Sequence, residues 1–418
     1  MSGSTRRLAV HLNPRAEKAV KAGHPWVFAD GIRRQSEGGV VGDLAVIFDR
    51  ANRFAAIGLY DPASPIRVRV LHHGSPETID RDWFVARIRD AYGRRQPLER
   101  QDTTGFRWVH GENDGLPGLI ADRYGSSIVV KLYSLAWAPH LGAVLAGISA
   151  VMDPERVVLR LSRAVQRDAA AAPEAAVHGG EVLRDGAALL GGVPAQPVLF
   201  KENGITFEAD LLRGQKTGFF LDQRDNRARV EKYAAGASVL NVFAYTGGFS
   251  VYAARGGAHS VTSLDASAPA LVAAERNFQH NRSHPAVAAA RHRALVGDAF
   301  ELLPELHARG EQFDIVILDP PSFAKARAEV NRALASYARI VRMGLDLVAH
   351  RGLLVAASCS SRISADRFRH VVEETARGAR RPLRVEQQTG HALDHPIAFA
   401  EGAYLKCIFA RVGGHPPG

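Results

Sequence analysis

A cysteine set among serines, Ser358-Cys359-Ser360-Ser361 in the run LLVAASCSSRIS, follows an apolar stretch that reads as a β-strand. A thiol at a strand end can act as a nucleophile if its surroundings favour the thiolate over the neutral form, whose ordinary pKa is ~8.5. The serines are expected to keep this strand end polar and open to solvent. A lone cysteine is otherwise commonly a small buried hydrophobe, and Cys407, inside the apolar run YLKCIFARV, reads as one. Upstream, DIVILDPPSF puts Asp319 directly after a second apolar run. Pro320 and Pro321 fix an extended turn and remove two N–H donors, so carbonyls and the carboxylate are left to face a ligand such as a planar base.

Two more carboxylates follow strand-like runs, Asp265 in SLDAS and Asp298 in VGDAF, and the loop NVFAYTGGF carries Gly247 and Gly248, which let backbone approach a ligand closely. A carboxylate at the end of the second strand can accept both hydroxyls of a ribose. Each aspartate could instead cap the helix after it, and each glycine could belong to a plain turn. What favours a shared site is that all fall at the ends of successive strands. The chain has no G-x-G-x-x-G at the first strand, so the pyrophosphate cradle of a nicotinamide site is not evident. S-adenosylmethionine needs no such cradle: Asp265 would meet its ribose, Asp298 its adenine, and the loop after the first strand its methionine end.

The elements that must hold these residues are SVLNVF, SVTSLD, FDIVILD and GLLVAASCS, alternating with helical patterns from about residue 196 onward. Strands so uniformly apolar are expected where helices cover both faces, which points to a parallel, doubly wound α/β sheet. Before it, WVFADGI, GDLAVIFD, RFAAIGLYD and IRVRVLHHG read as short strands of a small β-barrel. IDRDWFVARIRDAYGRRQPL has helical periodicity, LPGLIADRYGSSIVVKLYS reads as a hairpin around Tyr124 and Gly125, and the Ala-rich tract RDAAAAPEAAVHGGEVLRDG reads as a loop.

The length, 418 residues, suits two or three domains, and the net charge of +10 favours a polyanionic partner such as nucleic acid. Two cysteines are too few for a secreted disulfide framework, so a cytoplasmic location is expected. No apolar stretch approaches the ~20 residues that cross a bilayer, so no membrane partner is expected.

Taken together, GQKTGFFLDQRDNR, LNVFAYTGGFS, SLDAS, DIVILDPPSFAK and SCSS resemble the class I S-adenosylmethionine-dependent ribosomal RNA methyltransferases of the large-subunit methyltransferase I type. GHPWVFADGI with SPIRVRVLHHG is similar to that family's N-terminal PUA domain, GENDGLPGLIADRYG to its central α+β domain, and DHPIAFAEGAYLK to its last hairpin. The Ala-rich tract departs from the family pattern, which usually has a more regular strand and turn there. The resemblance implies a PUA-like domain over 1–74, a central domain over 75–195 and a Rossmann-like methyltransferase domain over 196–418. It implies cofactor contacts from Phe220, Arg224, Asn241, Phe243, Ala244, Tyr245, Thr246, Gly247, Gly248, Asp265, Ala266, Asp298, Ala299, Asp319 and Pro320. RNA contacts would come from Lys216, Pro321, His24, Trp26 and Arg67, with Phe219 or Phe220 against adenosine or the target base.

The reaction implied is methylation of carbon 5 of a cytosine in large-subunit ribosomal RNA. That carbon is a poor nucleophile until a thiolate adds to carbon 6, which assigns Cys359 as nucleophile. Asp319 would hold the base, and Glu401 would take the carbon 5 proton, as a glutamate near the C-terminus does in related uridine carbon 5 methyltransferases. The target must leave its stack to be reached. No metal is required, and a homodimer stays open. Methylation of guanine N7 or an exocyclic amine, a non-catalytic RNA-binding assembly factor, and nicotinamide-dependent redox chemistry are the alternatives.

Overall fold

The structure, a computed structural model, describes residues 7–324 and 326–413. It divides into two compact units. The first holds the chain through Asn203 with Ala209–Phe219 and Leu393–Phe399; the second holds Gly204–Glu208, Phe220–Ala392 and the chain from Ala400 on.

In the first unit, a six-stranded sheet runs in the order Trp26–Phe28, Ile66–His73, Phe54–Tyr60, Leu44–Phe48, Arg7–Leu12, Ile32–Gln35. Neighbours are antiparallel except Arg7–Leu12 beside Leu44–Phe48. Alternation along RLAVHL buries Leu8, Val10 and Leu12 on one face, as period-two strands require. Helix Pro14–Lys21 was not legible as such; Asn13 caps it by accepting from the Ala16 N–H at 2.9 Å.

A second sheet in this unit orders Ala188–Leu190, Arg156–Leu161, Ser127–Leu132, Leu119–Tyr124, Gly105–His110. The expected hairpin turns at Gly125 and Ser126, since Tyr124 pairs with Ser127. Helix Arg81–Gly93 buries Trp83, Phe84 and Ile88 in a core shared with Val144 and Ile148 of helix Leu141–Ser149. The Ala-rich tract is not all loop. Its first part belongs to helix Arg163–Ala171, capped by Ser162 and anchored by buried Val165 and Ala169, because alanine's helix propensity needs few large residues to hold one face down.

The second unit is built on seven strands: β1 (Ser238–Val242), β2 (Ser260–Asp265), β3 (Arg291–Val296), β4 (Phe313–Leu318), β5 (Val348–Ser358), β6 (Leu383–Thr389) and β7 (Lys406–Val412). Their order is β3-β2-β1-β4-β5-β7-β6. β1 to β5 are parallel, as the apolar composition of β1, β2, β4 and β5 suggested, but β7 runs antiparallel to both β5 and β6. An apolar run such as KCIFARV carries no signal of strand direction, so the sequence could not distinguish the two arrangements.

Helices Ala299–Ala308, Val330–Leu347 and Ala365–Gly378 pack side by side, and Gly248–Arg255 packs against Arg224–Tyr233 and Ala268–His280. Leu240, Val242, Val316, Leu318, Leu354 and Ala356 form the middle of the core with Tyr337, Ile340 and Phe368 from the helices. No helix among the described residues is long and apolar enough to cross a membrane.

Candidate active site

The strand order reverses between β1 and β4, and ligands of open α/β sheets bind beyond the carboxyl ends at such a point. The loop after β1 is wound unusually: Phe243 (φ 61°), Tyr245 (φ 48°) and Gly247 (φ 74°) all lie in the left-handed region. Tertiary hydrogen bonds hold it there. Ala244 N–H donates to the Leu264 carbonyl at 2.9 Å, and Tyr245 N–H donates to Asp265 Oδ2 at 2.8 Å.

Asp265, the last residue of β2, also accepts from Ser267 N–H through Oδ1 at 2.9 Å. It is not the cap of helix Ala268–His280, a role taken by Ser267, which accepts from Ala270 N–H. Each carboxylate oxygen therefore keeps lone-pair capacity for a hydroxyl donor, while its backbone bonds aim it along the loop. Ala266 beside it is exposed. Asp298 does cap its helix, with Oδ1 accepting from Phe300 N–H at 2.7 Å; Ala299 opens that helix and is buried.

Under the loop, Asn241 Nδ2 donates to Ser250 Oγ at 2.9 Å, and the chain continues through Ser263 Oγ at 2.7 Å to His292 Nε2 at 2.9 Å. Burial lowers the His292 pKa to about 4, so the ring is neutral there and stacks on Phe278. Two side-chain oxygens at this strand end, Asn241 Oδ1 and Thr246 Oγ1, are buried and have no protein partner. Orphaned polar atoms beside a left-handed loop and an outward carboxylate suit a ligand with hydroxyl, amine and carboxylate groups, which S-adenosylmethionine has.

Phe220 is half-buried and meets the Tyr245 ring edge-on at 5.2 Å. Phe219, in contrast, is a core residue of the first unit, 2% exposed against Phe200. Arg224 is buried at the start of helix Arg224–Tyr233, with Nε 3.3 Å from Asp225 Oδ1. A Cβ on Gly247 would lie 2.8 Å from the Ala274 Cβ, at a φ that strains any L side chain. Gly247→Ala is thus expected to cost about 1–3 kcal/mol and to weaken cofactor binding, read by thermal melting and calorimetry.

On the other side of the reversal, Asp319 follows β4 and is half-buried; Pro320 is buried and Pro321 exposed. Cys359 follows β5, the next strand, and is half-buried. Both act on one group. Tyr337 is pushed up to about 12, first by burial and further by the charges of Cys359 and Asp319. The serines do not open the strand end as expected: Ser358 is buried and donates to Tyr337 Oη at 2.9 Å, and Ser360 is buried and donates to the Ala324 carbonyl at 3.3 Å. Their hydroxyls are consumed in fixing the turn, and only Cys359 and Ser361 reach solvent. Cys407 is fully buried, with burial raising its thiol pKa.

Glu401 is exposed on the turn Ala400–Gly402 that leads into β7. In the first unit, Trp26 and Arg67 are half-exposed on the six-stranded sheet and His24 is half-exposed just before the strand Trp26–Phe28; Trp26 Nε1 donates to Glu112 Oε1 at 2.8 Å and its ring meets Phe399 edge-on. Lys216 is half-buried there, and its carbonyl accepts from Lys131 Nζ at 3.3 Å. Sequence reasoning missed Tyr337, Lys406 and the Tyr404 hydroxyl, which donates to buried Asp222 Oδ2 at 2.8 Å. Lys406 had a readable signal, a cation between apolar residues at the start of the run YLKCIFARV.

The sequence profile of the S-adenosylmethionine-dependent methyltransferases matches residues 143–404, and that of the PUA-like domain matches residues 10–73. The chain is 45% identical over 98% of its length to a protein of Deinococcus radiodurans named ribosomal RNA large subunit methyltransferase, covering 99% of that protein. It is 37% identical over 96% of its length to the ribosomal RNA large subunit methyltransferase I of Alteromonas mediterranea, covering 98% of it. Among solved structures, a methyltransferase complexed with SAH shares the fold at a TM-score of 0.80 and 23% identity, over 97% of this chain and 100% of that one. Full-length likeness of this degree, together with a loop and strand-end carboxylate that fit the cofactor, leads to one conclusion: the chain belongs to the PUA-bearing, S-adenosylmethionine-dependent methyltransferases of the ribosomal RNA large subunit methyltransferase I family.

Proposed function

We propose that this protein methylates carbon 5 of a cytosine in large-subunit ribosomal RNA through a covalent adduct with Cys359. The observation that carries the chemistry is the pairing of a half-buried thiol and a half-buried carboxylate, Cys359 and Asp319, at the ends of adjacent strands and around one tyrosine. The names of the full-length relatives support ribosomal RNA as substrate, and the net charge of +10 supports a polyanion. A ribosomal RNA substrate supports a cytoplasmic location.

When bound, S-adenosylmethionine supplies an electrophilic methyl group. Asp265 would hold the ribose, Asp298 and Ala299 the adenine, and the loop Phe243–Gly248 the methionine end, with Phe220 against the adenosine or the target base. Asp319 accepts from the exocyclic amine of the extruded cytosine. The Cys359 thiolate adds to carbon 6, which makes carbon 5 nucleophilic; after methylation Glu401 takes the carbon 5 proton and the thiolate leaves. His24, Trp26, Arg67, Lys216 and Pro321 supply RNA contacts. On this account the domains fall at 1–74, 75–195 and 196–418.

The test is nucleoside mass spectrometry of large-subunit RNA from a strain lacking the protein, after incubation with purified protein and cofactor. The expected product is 5-methylcytidine at one position. N7-methylguanosine or an N-methylated amine as the new nucleoside would replace this reading with the non-covalent one.

A further inference from the structure

We propose that Lys406 is a positioning residue for Cys359, whose ammonium group locks the turn carrying the thiol and supplies the positive charge that favours the thiolate. This rests on the reading of Cys359 as nucleophile. Lys406 opens β7 and lies opposite Ser358 in the antiparallel register with β5, one residue before the cysteine. Its side chain is buried, and Nζ donates to the carbonyls of Ser360, of Ile363 at 2.6 Å and of Tyr404 at 3.0 Å.

Three carbonyls call for three N–H donors, which only the charged ammonium has. Two of those carbonyls belong to the turn that directly follows Cys359, so the cation ties β7 to the loop that presents the thiol. Burial pulls the Lys406 pKa down to about 8, while the charge of Cys359 pushes it up. That coupling is reciprocal: whatever a thiolate contributes to the ammonium, the ammonium contributes to the thiolate.

Asp319, at the end of β4, acts together with Cys359 on Tyr337 and carries negative charge. Tyr337 on helix Val330–Leu347 stays protonated. Lys406 supplies a positive charge that acts on Cys359. With its three protons committed to carbonyls, it acts through charge and position, not by handing a proton to the substrate.

The measurement is the pH profile of Cys359 alkylation by iodoacetamide, followed on the tryptic peptide so that buried Cys407 is scored separately. Lys406→Gln keeps two N–H donors for the three carbonyls and removes the charge; its apparent thiol pKa is expected to rise by about one unit, a roughly tenfold slower alkylation at pH 7. Lys406→Arg keeps the charge and should shift less than half as far. Equal shifts in the two variants would mean a purely structural lysine, and an unshifted Lys406→Gln profile would mean no coupling; either overturns the proposal. If Lys406→Gln fails to fold, Lys406→Arg decides: a profile within half a unit of the parent supports the proposal, and a full-unit shift overturns it. Trapping on 5-fluorocytosine RNA reads the nucleophile separately. A protein that forms no adduct yet keeps a Lys406-dependent profile retains the charge pairing and loses the covalent mechanism.

Discussion

Cys359→Ala is expected to lower methyl transfer to ribosomal RNA by on the order of 10³-fold or more, while the dissociation constant for S-adenosylmethionine changes less than about twofold. The two effects separate because the residues that fit the cofactor lie on the loop after β1 and at the end of β2, whereas Cys359 follows β5. Without the adduct, carbon 5 has no electron density to offer the methyl group. Cys359→Ser should be equally inactive, since an alcohol at this site is far weaker an acid than a thiol. RNA containing 5-fluorocytosine should trap a denaturation-resistant complex with the parent protein and none with Cys359→Ala. Cys407→Ser should still trap, because Cys407 is wholly buried and its thiol is held neutral. Full methylation by Cys359→Ala would remove the covalent mechanism and favour an amine or ring nitrogen as acceptor.

What could be read in the sequence follows from what has a local signature. β1, β2, β4 and β5 announce themselves as apolar runs buried on both faces, and Asp265 and Asp319 are placed by those runs alone. β3, RHRALV, was harder. It is an edge strand with exposed Arg291, Arg293 and Val296, so its composition carries less of the pattern. The antiparallel direction of β7 depends on which neighbour it finds, a tertiary fact, and with it the placement of Lys406 opposite Ser358. The serines around Cys359 show a related limit. Hydroxyls look like solvent-facing groups in a sequence, but Ser358 and Ser360 satisfy themselves on Tyr337 and Ala324, partners distant along the chain. Asp298 and Asp265 were indistinguishable as caps; only the structure shows that Ser267 relieves Asp265 of that duty.

That difference between the two aspartates has a measurable consequence. Asp265 holds Tyr245 N–H on one oxygen and Ser267 N–H on the other, and so ties the left-handed loop to the end of β2. Its alanine variant loses the ribose acceptor and the loop tether at once. Hydrogen bonds to a charged group contribute about 1.5–3 kcal/mol each, so calorimetric titration of Asp265→Ala with S-adenosylmethionine should show affinity weakened ~100-fold or more. Asp265→Asn keeps an acceptor for one N–H and should fall between. Asp298→Ala loses a helix cap, which lowers stability by about 1 kcal/mol, and its remaining oxygen is one contact to the cofactor, so its affinity should fall less than ~10-fold. An Asp265→Ala protein that melts lower but binds the cofactor as tightly as the parent would make Asp265 a loop tether and nothing more. The ribose would then have to be held elsewhere, with the orphaned oxygens of Asn241 and Thr246 the next residues to replace.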